Sequence, residues 1–274
     1  MFCCDCMNRI GDYEIRPFSQ NRHNIRLLLK EGARKNNVHA LLEIDVTKAR
    51  SLIKEYKEKK GGDISFTGWV IKCVATAVIS NRELNSYRHG KRQIFVFDDV
   101  DIPIPVERKG GDETRPMAYV IRQANKKNVL EITREIRTVQ QEGVTDDTQL
   151  LGGYLTRLER FALDAPMCIK KLLLLYARRS ALLKKKHMGT VGVSSIGMFG
   201  KFPGWAVSIG IPATFVALGG IIKKPGVVDD TIQIRDYLHV TVVVNHDVVD
   251  GAPLARFVSC LTEHMENGCG LTHI

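Results

Sequence analysis

Residues 65–84, SFTGWVIKCVATAVISNREL, are apolar around most of a helical circumference. A helix of that kind has no face to offer water, so it must lie buried, here against a sheet. The flanking sequence supplies the rest of such a layer. Ser19 precedes QNRHNIRLLLKEGARKN, whose Ile25, Leu28 and Leu29 share one helical face, so Ser19 is the expected N-cap. VHALLEIDV reads as a strand, and Thr47 opens a charged surface helix with Ala49, Leu52, Ile53 and Tyr56 on its inner side and Gly61-Gly62 at its end. Further on, RQIFVFDDVDIPIPVERK alternates at Val100, Ile102, Ile104 and Val106 and reads as paired strands, with Pro103 and Pro105 pointing to an edge. NVLEITREIRTVQQEG is an amphipathic helix ending near Gly143. GTVGVSSIG, TFVALGGII, TIQIRDY and LHVTVVVNH read as strands, and GAPLARFVSCLTEHMENG as a last helix. Interleaved strands and helices make an α/β domain.

The 274 residues, 44% of them hydrophobic, fit a single core. We read one domain over 1–274, with 1–12 an N-terminal extension and 150–187 a basic helical insertion. The net charge is +10, and residues 150–187 hold nine Lys and Arg against two acidic residues, so most of the excess is local. That segment reads as two short basic amphipathic helices broken at Pro166. With Tyr154, Phe161 and Tyr176 as its only aromatics, it lacks the stacking residues of a nucleic-acid reader, and no nucleic-acid partner is expected. Its leucines, Leu172 to Leu175, Leu182 and Leu183, suggest a lid packed on the core with a substrate-facing edge; contact with an anionic membrane surface is the less favoured reading. Seven scattered cysteines suit a reducing, cytoplasmic setting. Cys3, Cys4 and Cys6 lack the second Cys or His pair of a structural zinc site, so no metal is expected. The apolar stretch 206–222 is interrupted by Ser208, Gly210, Pro212 and Thr214, which suits a turn and a buried strand better than a membrane span.

Chemistry concentrates in VTVVVNHDVVDGAPLARF, where a strand runs into His246, followed by Asp250 and Gly251 at the start of the last helix. A histidine at a strand end can take a proton from a substrate, and a carboxylate four residues on can fix the local backbone, although a lone strand histidine is more often structural. NHDVVDGA resembles the H-x-x-x-D-G signature of chloramphenicol acetyltransferase and, more closely, of the catalytic domain of dihydrolipoyl acyltransferases from 2-oxo acid dehydrogenase complexes. The likeness extends through GAPLARF and back to GTVGVSSIGMFG. RPFSQNRHNI, LLEIDVT, SFTGWVIKCVATAV and ELNSY are also similar to family segments, in the same order. Roughly residues 13–109 and 189–268 are covered.

This resemblance implies a chloramphenicol acetyltransferase-like two-layer sandwich, a mixed β-sheet with helices on one side, assembled as a homotrimer with sites at subunit boundaries. It implies a CoA-dependent acyltransferase acting between a small-molecule thioester and a thiol or other acceptor. His246 takes the place of the general base and Ser194, 52 residues earlier, that of the oxyanion donor. Asp250 matches a carboxylate that pairs with an arginine near the N-terminus, here Arg22, to hold the histidine loop, and Gly251 is expected to permit close backbone packing. Asn85 matches a family position and reads as a buried backbone cap. Coenzyme A or acyl-CoA enters as substrate, no residues are assigned to it, and no lipoate is expected on this chain, because no lipoyl domain or Pro/Ala-rich linker precedes the catalytic part. Asn245, Asp247 and the 150–187 insertion depart from the family pattern and leave acyl donor and acceptor open. The alternative is a non-catalytic trimeric scaffold or acyl-CoA-binding protein.

Overall fold

Local chemistry fixes the helix ends. Ser19 Oγ accepts from the backbone N–H of Arg22 at 3.4 Å, and α1 runs over Gln20–Gly32. β1 (Asn37–Asp45) leads to α2 (Thr47–Lys60), which stops where Gly61 takes φ 62°, a left-handed value that glycine adopts without strain. Ser65 Oγ caps α3 (Phe66–Ser80) by accepting from Gly68 N at 3.1 Å. The computed structural model describes residues 11–110, 113–142, 165–197, 202–272 and 274. The remaining elements are β2 (Ser86–His89), β3 (Gln93–Val96), β4 (Ile102–Gly110), β5 (Glu113–Ile121), α4 (Val129–Gln141), α5 (Met167–Arg179), α6 (Ala181–Met188), β6 (Val191–Ser195), β7 (Thr214–Val228), β8 (Thr231–Asn245) and α7 (Gly251–Glu266).

The main sheet has the order β1-β8-β7-β6, antiparallel except for the parallel β6–β7 pair. It is the mixed sheet expected, with helices on one side. Leu238, Val240, Val242 and Val244 of β8, Val216 and Leu218 of β7 and Ile44 of β1 face those helices and meet Trp69, Val70, Phe257 and Leu261 in one continuous core. α3 is at its centre, with Trp69, Ile71, Val74 and Val78 fully buried, as its all-round apolar sequence demands. The other face of β8 is buried too, through His239, Thr241, Val243 and Asn245. The segment 202–213 covers it, and it approaches closely because Gly219 and Gly220 interrupt β7: a Cβ at Gly220 would collide with the backbone carbonyl of Phe202.

Three readings need correction. TIQIRDY and LHVTVVVNH are one 15-residue strand, and β7 is equally long; their outer ends leave Val227, Ile232 and Ile234 about three-quarters exposed. The strands of RQIFVFDDVDIPIPVERK do not pair with each other. β3 pairs with β2, and β4 with β5. β4 lies beside β6, but Pro103 and Pro105 have no N–H to extend the main ladder, so the hairpin stays a separate two-stranded sheet. Third, the part of the basic segment after Pro166, read as one helix, is two, divided at Ser180, whose side chain caps α6; the helix read before Pro166 falls on residues 150–164, which lie outside the described residues. No helix among the described residues is long and apolar enough to cross a membrane.

Candidate active site

β8 ends at the sheet's centre, and the chain turns at once into the loop that carries His246. Four backbone hydrogen bonds pin the turn. Asn245 N donates to Ala213 O and His246 N to Asn36 O, each at 2.8 Å, while Val248 N and Val249 N both donate to Asn245 O. Side chains complete it: Asp247 N donates to Asn245 Oδ1 at 3.2 Å, and Asn36 Nδ2 to Asp247 Oδ1 at 2.8 Å. Asn245 and Asp247, the two departures from the family pattern, are therefore the groups that hold the loop, together with Asn36. A partner 211 residues away in sequence leaves no local signal.

The ion pair assigned to that task is not formed within one chain. Arg22 lies exposed on α1 with no ion pair among the described residues, and the Asp250 side chain is 86% exposed. Asp250 occupies the N-cap position of α7 without capping it; its Oδ1 stands 3.9 Å from His246 Nδ1, in range of a charge but too far for a hydrogen bond. A Cβ at Gly251 would meet nothing within 4 Å, so the close packing expected there is absent in the single chain. Asn85 is buried and donates from Nδ2 to Phe97 O and Asp99 O, a backbone cap.

The His246 side chain is half exposed. Ser194 sits in β6, half-buried, with no hydrogen-bond partner for its hydroxyl among the described residues. Its register neighbours are Ala217 in β7 and, through it, Thr241 in β8. From Thr241 the chain runs four to five residues to His246, and two strand spacings separate β6 from β8. At about 3.3 Å per residue and about 4.8 Å per strand, the two α-carbons are roughly 16–19 Å apart. One chain thus carries both groups on one sheet but does not bring them together.

On the α5–α6 side, the leucines do not pack as a lid on the core. Leu172, Leu173, Leu175 and Leu182 are exposed, while Lys170 is buried and donates to Asn24 Oδ1 of α1 at 3.2 Å. Four consecutive leucines sweep about 300° of a helix, so one surface cannot cover them all. Instead α5, α6 and α1 wall a cavity of about 420 Å³ against the loop, which contributes Asn245 and Asp247 to its lining. Among the described residues no cluster of three or more His, Cys, Asp or Glu could hold a metal ion. Cys3, Cys4 and Cys6 lie outside them.

The sequence model for the 2-oxoacid dehydrogenases acyltransferase catalytic domain matches residues 11–150 and 169–271. The chain belongs to that family. Among relatives, it is 26% identical over 245 residues to the dihydrolipoyllysine-residue acetyltransferase component of the pyruvate dehydrogenase complex of Zymomonas mobilis, covering 87% of this chain and 47% of the relative. To the lipoamide acyltransferase component of the branched-chain alpha-keto acid dehydrogenase complex of Bacillus subtilis it is 24% identical, covering 94% and 53%. The chain spans about half the length of these relatives. The fold matches a probable dihydrolipoamide acetyltransferase from Listeria monocytogenes with a TM-score of 0.66 at 21% identity, covering 94% of this chain and 96% of the other. It also matches an Azotobacter vinelandii dihydrolipoamide acetyltransferase with a TM-score of 0.69 at 15% identity, covering 97% and 96%. The two-layer α/β architecture of the acyltransferase catalytic family is therefore the fold of this chain.

Proposed function

We propose that this chain transfers an acyl group between a thioester and a thiol, coenzyme A being one of the thiol carriers, at sites assembled between copies of a homotrimer. His246 of one copy is the general base and Ser194 of the next is the oxyanion donor. The observation that carries this reading is the separation of the two groups on one sheet: a half-exposed imidazole just past a strand end, and a hydroxyl without a partner among the described residues two strands away. A second copy supplies what each half lacks. In the Azotobacter enzyme the serine and histidine investigated for the catalytic mechanism are 52 residues apart, with an asparagine four residues past the histidine. Ser194 and His246 repeat the first spacing, and Asp250 takes the asparagine's place.

The chemistry follows from the residue types. Neutral His246 takes the thiol proton, and the thiolate attacks the thioester carbonyl carbon. Negative charge moves to the carbonyl oxygen, where the Ser194 hydroxyl donates a hydrogen bond worth about 3 kcal/mol in the transition state. Collapse breaks the original carbon–sulfur bond, and the departing thiolate recovers the proton from the imidazolium. Asp250 Oδ1, 3.9 Å from His246 Nδ1, does not fix the ring by a hydrogen bond.

Thioester exchange over a panel of acyl-CoAs tests the reading. His246→Ala and Ser194→Ala should each lower turnover about 10²-fold or more while leaving folding and assembly intact. Co-assembly of the two inactive variants distinguishes the site's location. Random mixing in a ring rebuilds roughly a quarter of the sites. Recovered turnover near that fraction supports sites between copies, and co-assembly without recovery overturns them.

A further inference from the structure

The cavity behind the His246 loop is lined by seven Lys and Arg side chains and only two carboxylates, Glu31 and Asp247. Both acids are already engaged. Glu31 accepts from Arg34 at 2.9 Å and lies 3.8 Å from Arg178, and Asp247 accepts from Asn36. The cations are not a solvated stripe along one helix. They converge from the end of α1, the β2–β3 turn, α5 and α6. Several are held in place by neutral groups: Lys35 Nζ donates to the carbonyls of Gly210, Ile211 and Pro212, and Lys184 Nζ donates to Arg88 O at 2.8 Å while standing 4.9 Å over the Tyr87 ring. Burial pushes the Lys35 ammonium down to about 8, with Lys184 adding to the drop, and pushes Lys184 to about 8, with Arg88 adding. Seven cations gathered in a half-buried space with only two carboxylates destabilise the fold that gathers them. An anion in the space removes that conflict.

We propose that this cavity binds the phosphate group of a small molecule, at a site separate from the acyl-transfer centre. Asn245 and Asp247 line it and His246 does not, so an occupant sits behind the loop rather than at the reacting atoms. The planar guanidinium groups of Arg88 and Arg178 suit bidentate contact with phosphate oxygens, and Lys184 adds a point charge between α6 and β2. About 420 Å³ is the volume of a small-ligand pocket. The phosphate can come from coenzyme A itself or from a distinct phosphorylated molecule.

Calorimetric titration of the full chain at low salt, with inorganic phosphate, pyrophosphate, coenzyme A and 3′-dephospho-coenzyme A, tests this. Pyrophosphate should bind, and the double variant Arg88→Gln/Lys184→Gln should weaken it about tenfold or more. Arg178→Gln should weaken it as well, which covers the case in which the double variant folds poorly. A parallel loss for coenzyme A but not for its 3′-dephospho form supports the proposal and identifies that phosphate as the occupant; coenzyme A binding untouched by the variants, with pyrophosphate weakened, supports it with a separate ligand. No binding of any of the four, or binding that folded variants retain within twofold, overturns it. The titration involves no acyl transfer, so it stands or falls independently of His246 and Ser194.

Discussion

The helix-packed side of the sheet and the basic end of the molecule handle their side chains in opposite ways. Beneath the sheet, Trp69, Phe257, Leu261 and the even-numbered residues of β8 from Leu238 to Val244 are sealed from water, and the one polar group of Trp69, its Nε1, reaches Cys269 O at 3.1 Å. At the other end leucines face outward, Lys170 is buried, and a cavity collects positive charge. The first region is complete within one chain. The second is arranged for molecules that the chain does not contain, and its own stability suffers for it. Function is to be sought where the structure leaves interactions unfinished, and His246, Ser194 and the cavity cations all meet that description.

The largest expected effect tests the contrast directly. Trp69→Ala should lower the free energy of unfolding by about 3–5 kcal/mol, because the space it leaves cannot be refilled by a close-packed layer. Leu172→Ala, which also removes a large apolar side chain, should change it by no more than about 0.5 kcal/mol, because Leu172 is two-thirds exposed. Urea unfolding of both variants decides. A cost above about 1 kcal/mol for Leu172→Ala in the isolated chain would mean that α5 has a covered face, and the comparison would break there.

At the basic end the damaging change is to orphan a charge. Asn24→Ala leaves the buried Lys170 ammonium without its 3.2 Å acceptor and should cost about 1–3 kcal/mol. Lys170→Met keeps the stem and removes the charge, so the double variant Asn24→Leu/Lys170→Met should lie close to wild type. A double-mutant cycle by thermal or urea unfolding checks this. Additive losses would show that α1 and α5 are held by packing alone and would bring the two regions closer in kind.

How much of this could be read in the sequence follows the same division. The all-round apolar pattern of α3, the Ser19 cap, the Thr47 start and the Gly61 stop are local signals, and each has the expected role in the structure. The outer halves of β7 and β8 escaped because Val227, Ile232 and Ile234 are apolar yet exposed, so burial and sequence pattern part company there. The loop bearing His246 was legible as a strand end running into a helix. Its support was not: Asn36 acts on Asp247, 211 residues away, and nothing in either segment advertises the partner. Charge counting found the basic segment 150–187, but it could not show that Lys184 and Arg178 converge with Arg88 and Lys35 on one space. Convergence belongs to the fold, whereas composition reports only the sum.

The smallest effect is in the pH dependence of stability. Lys35 and Lys184 titrate near 8 in the folded chain and near their ordinary 10.5 when unfolded. Between those values the unfolded chain binds more protons, so folding stability should rise with pH from about 8 to about 10.5. Below that window both lysines are charged in both states and the penalty is fully present; above it they are neutral in both and the penalty is gone. Three other groups overlap. The Cys73 contact, with charges nearby, lowers Cys269 to about 6 and adds a rise between 6 and 9, whereas burial raises the Cys73 thiol well above its ordinary 9 and the Tyr87 phenol well above its ordinary 10, and each opposes the gain above that value. The slope must therefore be read as a difference between wild type and Lys35→Met, at pH 8.5 and 9.5, by urea unfolding. The wild type should climb more steeply, by a modest amount because solvent reaches part of the cavity. With pyrophosphate present at saturation the wild-type slope should reverse toward loss with rising pH, since an anion holds both lysines protonated in the folded state. Equal slopes for wild type and variant would show that Lys35 is not in conflict with its neighbours, and the basic end would then be as settled as the core.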